Sequence, residues 1–329
     1  MFSLFYFLFI QMYTNPNEKE SMKKLQLISL ILSLFSIAFV HASEMAEIMP
    51  KFTQSMYLDV ETNHTSIVAV GERGQVAISK DYGETWHQSK NVPTKATLTS
   101  VSMIGQQVWA VGHDTTIIYS ADGGENWAIQ FEDKERQMPL LDVLFLDESN
   151  GFAIGAYGTY LYTYDGGKKW YDTLLIEDQD YHLNKIIKVD EYKLFVVAEA
   201  GHAYRSHDLG KTWESIDLPY SGSMFGANLF RGSIITYGLR GHVLVTNDFG
   251  DNFIQIDSPV EDSLFGSEHT INDKLLIVGA NGAVLQFKNM ALSKINIPNS
   301  DGDYTELVSI KDNKLVFVGE SGISTKQIR

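Results

Sequence analysis

The residues of this 329-residue chain that could do chemistry most directly are five aspartates in one repeated setting: SKDYGETW over 79–86, SADGGENW over 120–127, TYDGGKKW over 163–170, SHDLGKTW over 206–213 and TNDFGDNF over 246–253. Asp81, Asp122, Asp165, Asp208 and Asp248 each follow a Ser or Thr by two positions. Each precedes a glycine (Gly83, Gly124, Gly167, Gly210, Gly250) by two and an aromatic residue (Trp86, Trp127, Trp170, Trp213, Phe253) by five. Carboxylates can ligate a metal or transfer protons, but this spacing points to a local task. Asp and Ser/Thr side chains accept hydrogen bonds from turn amides, Gly adopts a backbone conformation that side chains disfavour, and the aromatic ring packs between sheets. The five turns fall in separate units of the chain, so the aspartates are read as turn builders, and neither a metal nor a cofactor is expected.

The remaining reactive residues form no constellation. The nine histidines have no paired ligand spacing; His113, His202 and His242 recur near turns and are read as ordinary turn and strand residues. The absence of cysteine removes disulfides, thiol nucleophiles and thiolate metal sites. With 26 Lys and Arg against 41 Asp and Glu, the formal net charge of −15 repels a phosphate backbone, so no nucleic-acid partner is expected.

The elements that position the aspartate turns follow from their spacing. Their first residues are 41, 43, 43 and 40 apart, a period that belongs to repeat architectures. A second motif, an apolar run ending in Gly or Ala, then two residues and usually Gly, appears at 71–74, 155–158, 198–201, 238–241, 279–282 and 319–322, and Gly112 opens the same turn with Thr115 in the closing position. That makes seven units. Within one, Leu98 to Ile104, Val108 to Val111, Thr116 to Ser120 and Trp127 to Phe131 are short β-branched or aromatic runs between turn residues. Four strands in about 40 residues predict an all-β, seven-bladed β-propeller. The seventh unit stops before its outermost strand, so Met45 to Thr53 is expected to supply it, Glu47 to Phe52 pairing with Ile323 to Lys326 and closing the ring.

The first 42 residues read as a leader. Lys23 and Lys24 precede an apolar run from Leu25 to Val40 that ends at His41-Ala42, which predicts a Sec-type signal peptide cleaved after Ala42, with translation starting at Met22. Residues 43–329 then form a single exported propeller domain, periplasmic or secreted, monomeric and without a membrane span of its own. Removing residues 1–42 takes three lysines and two glutamates and leaves a net charge of −16.

The Ser/Thr-x-Asp-x-Gly-x-x-Trp turns resemble the Asp-box (BNR) repeats of sialidases, sortilin-type receptors and photosystem II assembly factors. The added V-G-x-x-G turns, the seven units and the leader most resemble the Ycf48/HCF136-like group. That resemblance implies a non-enzymatic propeller on the exported side of a membrane, binding a membrane protein complex or envelope protein during its assembly. The alternatives are a sialidase-like glycosidase, which needs an arginine clamp for which Arg73, Arg136 and Arg240 are the candidates, and a glycan- or peptide-binding propeller. A partner is expected on the face formed by the glycine turns and the crossings between blades, with Arg73, Tyr157, Arg240, His113, Glu72 and Asn281 as candidate contacts.

Overall fold

A computed structural model describes residues 45–270, 272–297, 302–311 and 314–327. The leader and the expected Met22 start lie outside them. The described chain forms seven antiparallel sheets in sequence order, spanning 57–88, 98–131, 140–174, 183–217, 224–256, 264–294 and 304–327. Six sheets have four strands each, the last has three, and within every sheet the strands follow one another as in a meander. The first strand of each blade packs against the first strands of both neighbours, and that of blade seven packs against that of blade one, so the ring closes around a central channel. This is the expected seven-bladed propeller.

The core explains the hydrophobic runs. Second strands such as Ile67–Gly71, Gly151–Gly155 and Leu275–Gly279 are buried at every position, because each sheet is covered on both faces by its neighbours. Seven buried clusters fill the seven joints, each drawn from two adjacent blades. The aromatic residue that ends each Asp box enters the joint with the preceding blade. Trp127 packs among Val68, Val70, Val76 and Ile78 of blade one, Trp170 against Trp109, Val111 and Ile117 of blade two, and Trp86 against Val308 and Val316 of blade seven. Blade six, which has no box, fills its joint with blade five through Phe287 and Leu292.

The glycine turns are set by close approaches. At Gly71 a Cβ would lie 2.2 Å from the Met56 carbonyl oxygen, and at Gly74, whose φ is +70°, it would lie 2.0 Å from that of Thr94. The first glycine therefore lets the turn sit on the crossing that enters its own blade, and the second lets it sit on the crossing that leaves for the next.

The ring does not close as expected. No ladder joins Glu47–Phe52 to Gly322–Gln327 among the described residues, and the seventh sheet has three strands. Residues 45–49 bond instead to blade one: Ala46 N–H donates to the Val92 carbonyl at 3.0 Å, Met49 N–H to Gln88 Oε1 at 2.9 Å, and Gln88 Nε2 to the Glu47 carbonyl at 2.8 Å. Phe52–Gln54 forms a single 3₁₀ turn. At Gly322 a Cβ would lie 2.1 Å from the Thr53 carbonyl oxygen, so this turn occupies the place that a crossing occupies elsewhere in the ring. The segment completes the circle as a connection, and the seam is held by Thr305 Oγ1 donating to the Tyr57 carbonyl and Thr325 Oγ1 to that of Gly83, each at 2.9 Å.

Candidate functional site

The Asp boxes link third and fourth strands, and each aspartate is spent within its own turn. Ser79 Oγ donates to Asp81 Oδ1 at 2.9 Å and accepts the Gly83 amide at 2.8 Å, while the Thr85 amide donates to Asp81 Oδ1 at 2.9 Å. The same amide bond reaches Asp122, Asp165, Asp208 and Asp248 from Asn126, Lys169, Thr212 and Asn252, each at 2.9 Å. These donors stabilise the charged carboxylate. The Thr85 hydroxyl and amide hold Asp81 down to about 2, and the Asn252 side chain and amide do the same for Asp248. Among the described residues no cluster of His, Asp or Glu has metal-site geometry.

The opposite face carries the glycine turns. In a four-stranded meander the second-to-third turn and the entry to the first strand share an end, and here they are bonded in all seven blades. The amides of Glu72, His113, Ala156, Glu199, Leu239, Ala280 and Glu320 donate at 2.8–3.1 Å to the carbonyls of Met56, Thr97, Pro139, His182, Ser223, Ser263 and Asp303. The next residue of most turns is left-handed without being glycine: φ is 56° at Arg73, 57° at Asp114, 54° at Tyr157, 55° at Arg240 and 53° at Asn281. All six candidate contacts therefore lie on one face, yet in five different blades, and only Glu72 and Arg73 meet, at 3.8 Å. Tyr157 is half exposed and stands edge-on to His182 with ring centroids 5.0 Å apart. Asn281 is fixed by Asp262 at 2.7 Å and Asp303 at 2.9 Å. Arg240 is exposed.

Two features of this face escaped the sequence reading. One is an aromatic run over blades four and five, where Tyr181 stacks on His202 at 3.9 Å and Tyr220 on His242 at 3.7 Å. The other is the channel. Each inner strand carries a bulge near its start. The bulge residues ring the channel mouth, among them Leu58, Leu141, Phe225 and Phe265. The following residues form a second, deeper layer: Asp59, Ser100, Asp142, Lys185, Gly226, Gly266 and Glu306. Above this layer the channel opens into a well of 530 Å³, and below it into a second cavity of 470 Å³.

The deeper layer is a bonded chain. Ser100 Oγ lies 2.8 Å from both Asp59 Oδ2 and Asp142 Oδ1, and Lys185 Nζ lies 3.0 Å from Asp142 Oδ1. Backbone amides of Val101 and Ile186 complete the two carboxyls, at 2.8 and 2.9 Å. A hydroxyl has one proton to donate, so two short contacts from Ser100 to carboxyl oxygens require one of the two acids to bring its own. Burial pushes the Asp59 carboxyl up, against the pull of Lys185. Burial, reinforced by Asp59, also raises Glu306 well above the carboxylate range. One layer down, burial lifts Glu61 to about 8 and Glu268 to about 7. Burial opposes the charge on Lys185, but Asp142 and Asp59 hold its ammonium well above the ordinary lysine range.

A family model described as photosynthesis system II assembly factor YCF48 matches residues 42–139 and 129–226. The chain belongs to the Ycf48 family. Its fold is also that of solved Ycf48 structures. One, bound to D1 peptide, aligns with a TM-score of 0.70 at 17% identity, covering 88% of this chain and 96% of that one. Another, from Cyanidioschyzon merolae, aligns with a TM-score of 0.67 at 16% identity over 86% and 97%. A streptogramin B lyase shares the propeller equally well, with a TM-score of 0.71 at 12% identity over 86% and 96%, which shows how little the fold alone says about activity. No curated protein matches the sequence. In this Ycf48-family chain the Asp boxes build the blades, and the six candidate contacts lie on the glycine-turn face, around the central well.

Proposed function

We propose that this protein is a non-catalytic, exported, monomeric assembly factor that holds a segment of a membrane protein complex or envelope protein on its glycine-turn face. Family membership supports the class, and the Ycf48 structure with a bound D1 peptide supports a membrane-protein segment as the kind of partner. The observation that carries the reading is the set of left-handed residues on that face. Arg73, Tyr157, Arg240 and Asn281 each bear a side chain where glycine would be unstrained, at a cost of roughly 1 kcal/mol apiece. Three of these side chains, Arg73, Tyr157 and Arg240, project into solvent, as recognition groups do.

The glycosidase alternative asks three arginines to converge on a carboxylate. Arg136 pairs with Asp172, Arg205 with Glu214 and Asp251, and Arg231 with Asp273. Arg73 and Arg240 stand in blades one and five, and Arg329 lies outside the described residues. The geometry favours the binding reading.

The test uses glycine replacements, which suit the turn backbone. Immobilised protein should retain an integral membrane protein from a detergent-solubilised envelope fraction, identified by cross-linking and mass spectrometry. The triple variant Arg73→Gly, Tyr157→Gly, Arg240→Gly should fold at least as stably and lose it. Equal retention by the variant, or turnover of a sialoside by the wild type, would overturn the proposal.

A further inference from the structure

We propose that the well at the channel mouth is a docking site for an extended polypeptide segment that inserts a lysine or arginine side chain between apolar neighbours. This rests on the protein-binding reading above and specifies the chemistry of what is bound.

The well has two tiers. Its collar is apolar: Leu58, Leu141, Phe225 and Phe265 are half buried around the opening, with Met56 exposed at the lip, and the two phenylalanine rings lie 5.7 Å apart. Its floor is the charged layer. At 530 Å³ it lies within the roughly 300–1,000 Å³ of ordinary ligand sites, which are likewise apolar with a few convergent polar groups.

Charge complementarity chooses the occupant. Asp59, Asp142, Asp303, Glu306 and Glu320 line the well against Lys185 alone, and Lys185 is already held by Asp142 at 3.0 Å. Ser100 bridges Asp59 and Asp142 through a shared proton and burial raises Glu306, so an anionic group entering would meet acid groups with no free cation to pair with it, whereas an entering cation would favour their ionised forms. A wholly apolar group would satisfy the collar and leave the floor unmatched. Lysine and arginine side chains carry a charged head on an apolar stem, and that order from stem to head matches collar above floor. A small free cation would use the floor alone, whereas a polypeptide whose apolar side chains flank the cationic one also fills the collar and lays its backbone across the open face.

The probe is a blocked, fluorescent peptide of sequence Gly-Leu-Lys-Phe-Gly, titrated into the purified protein at low salt and followed by anisotropy. It should saturate, and analogues with norleucine or glutamate in place of lysine should bind at least tenfold more weakly, as should spermidine measured by displacement. Glu306→Gln in the floor and Phe265→Ala in the collar should each weaken the parent peptide at least tenfold. On the unsubstituted protein, a benzophenone version should cross-link to residues 56–59, 224–226 or 264–266, a readout that no folding defect can imitate. Equal binding of the norleucine analogue, equal competition by spermidine, or cross-links confined to outer strands would overturn the inference. Failure here with retention of a membrane partner on the glycine-turn face would sink only this inference; peptide binding without such a partner would sink the assembly reading instead.

Discussion

Replacing Glu268 by glutamine should make this protein more stable at pH 8 and leave it unchanged near pH 4.5. Glu268 sits on the channel wall below the charged layer and accepts the Ser309 amide at 2.8 Å. Burial raises its carboxyl from 4.5 to about 7, against the opposing pull of the amides of Ser309 and His269. The folded protein therefore keeps a proton that the unfolded chain releases near 4.5. Where the folded state binds more protons, stability falls as pH rises, here between about 4.5 and 7, and is flat above. A difference of about 2.5 pH units corresponds to about 3 kcal/mol. Glutamine still accepts the Ser309 amide and has no proton to lose. Urea midpoints measured from pH 4.5 to 8 should coincide for the two proteins at the acid end and diverge by up to about 3 kcal/mol at the alkaline end, or about 2 °C in Tm per kcal/mol for a domain of this size. A variant less stable than wild type at pH 8, or one with the wild-type pH slope, would refute the assignment of a half-buried Glu268 that keeps its proton above the ordinary carboxylate range.

Asp142→Ala should cost about 3 kcal/mol in urea unfolding, because it strands Lys185 and the Ile186 amide; Asp142→Ala with Lys185→Met should recover most of that loss. Trp127→Ala should cost about 3–5 kcal/mol by opening the joint between blades one and two, whereas Asp122→Ala should cost about 1 kcal/mol, since water can reach the Asn126 amide it releases. Ile48→Pro should change the unfolding midpoint by less than about 0.5 kcal/mol, because this exposed residue belongs to a connection; a strand ladder there would give a far larger loss.

What the sequence disclosed and what it hid follow from the range of the interactions. The Asp boxes were legible because the bonds that shape each turn are local: Ser79, Asp81, Gly83 and Thr85 are joined to one another within seven residues. The glycine turns were legible as punctuation, although the carbonyls that forbid a Cβ at Gly71 and Gly74 come from residues 15 to 20 positions away. The role of Met45 to Thr53 was misjudged because a missing fourth strand in blade seven looked like a vacancy for the nearest unassigned segment; the carbonyl of Thr53 against Gly322 shows it filling a crossing instead. The channel was hidden for a different reason. Asp59, Asp142, Lys185 and Glu306 recur at the repeat period, but their meeting depends on seven bulges turning one extra residue toward the axis, and alternation alone does not announce a bulge.

The charged layer is costly to the fold, and that bears on its purpose. Blades five and six place glycine there. At Gly226 a Cβ would strike the Tyr237 ring at 2.3 Å, and at Gly266 it would lie 2.5 Å from Glu306 Oε1, so the two glycines admit Tyr237 and Glu306 to the axis. A ring built only to be stable would fill such a layer with apolar side chains. Here carboxyls are buried in forms the surrounding pH disfavours, and costs of that kind concentrate where a surface is used. Glu306→Gln separates the two explanations, because it should move two measurements in opposite directions. With no carboxyl to keep neutral above its ordinary range, the variant should unfold at a higher urea midpoint at pH 8 than the wild type, while binding the lysine-containing peptide at least tenfold more weakly. A loss of both would mark Glu306 as a structural acid, and a gain of stability with undiminished binding would leave the layer without a role in recognition.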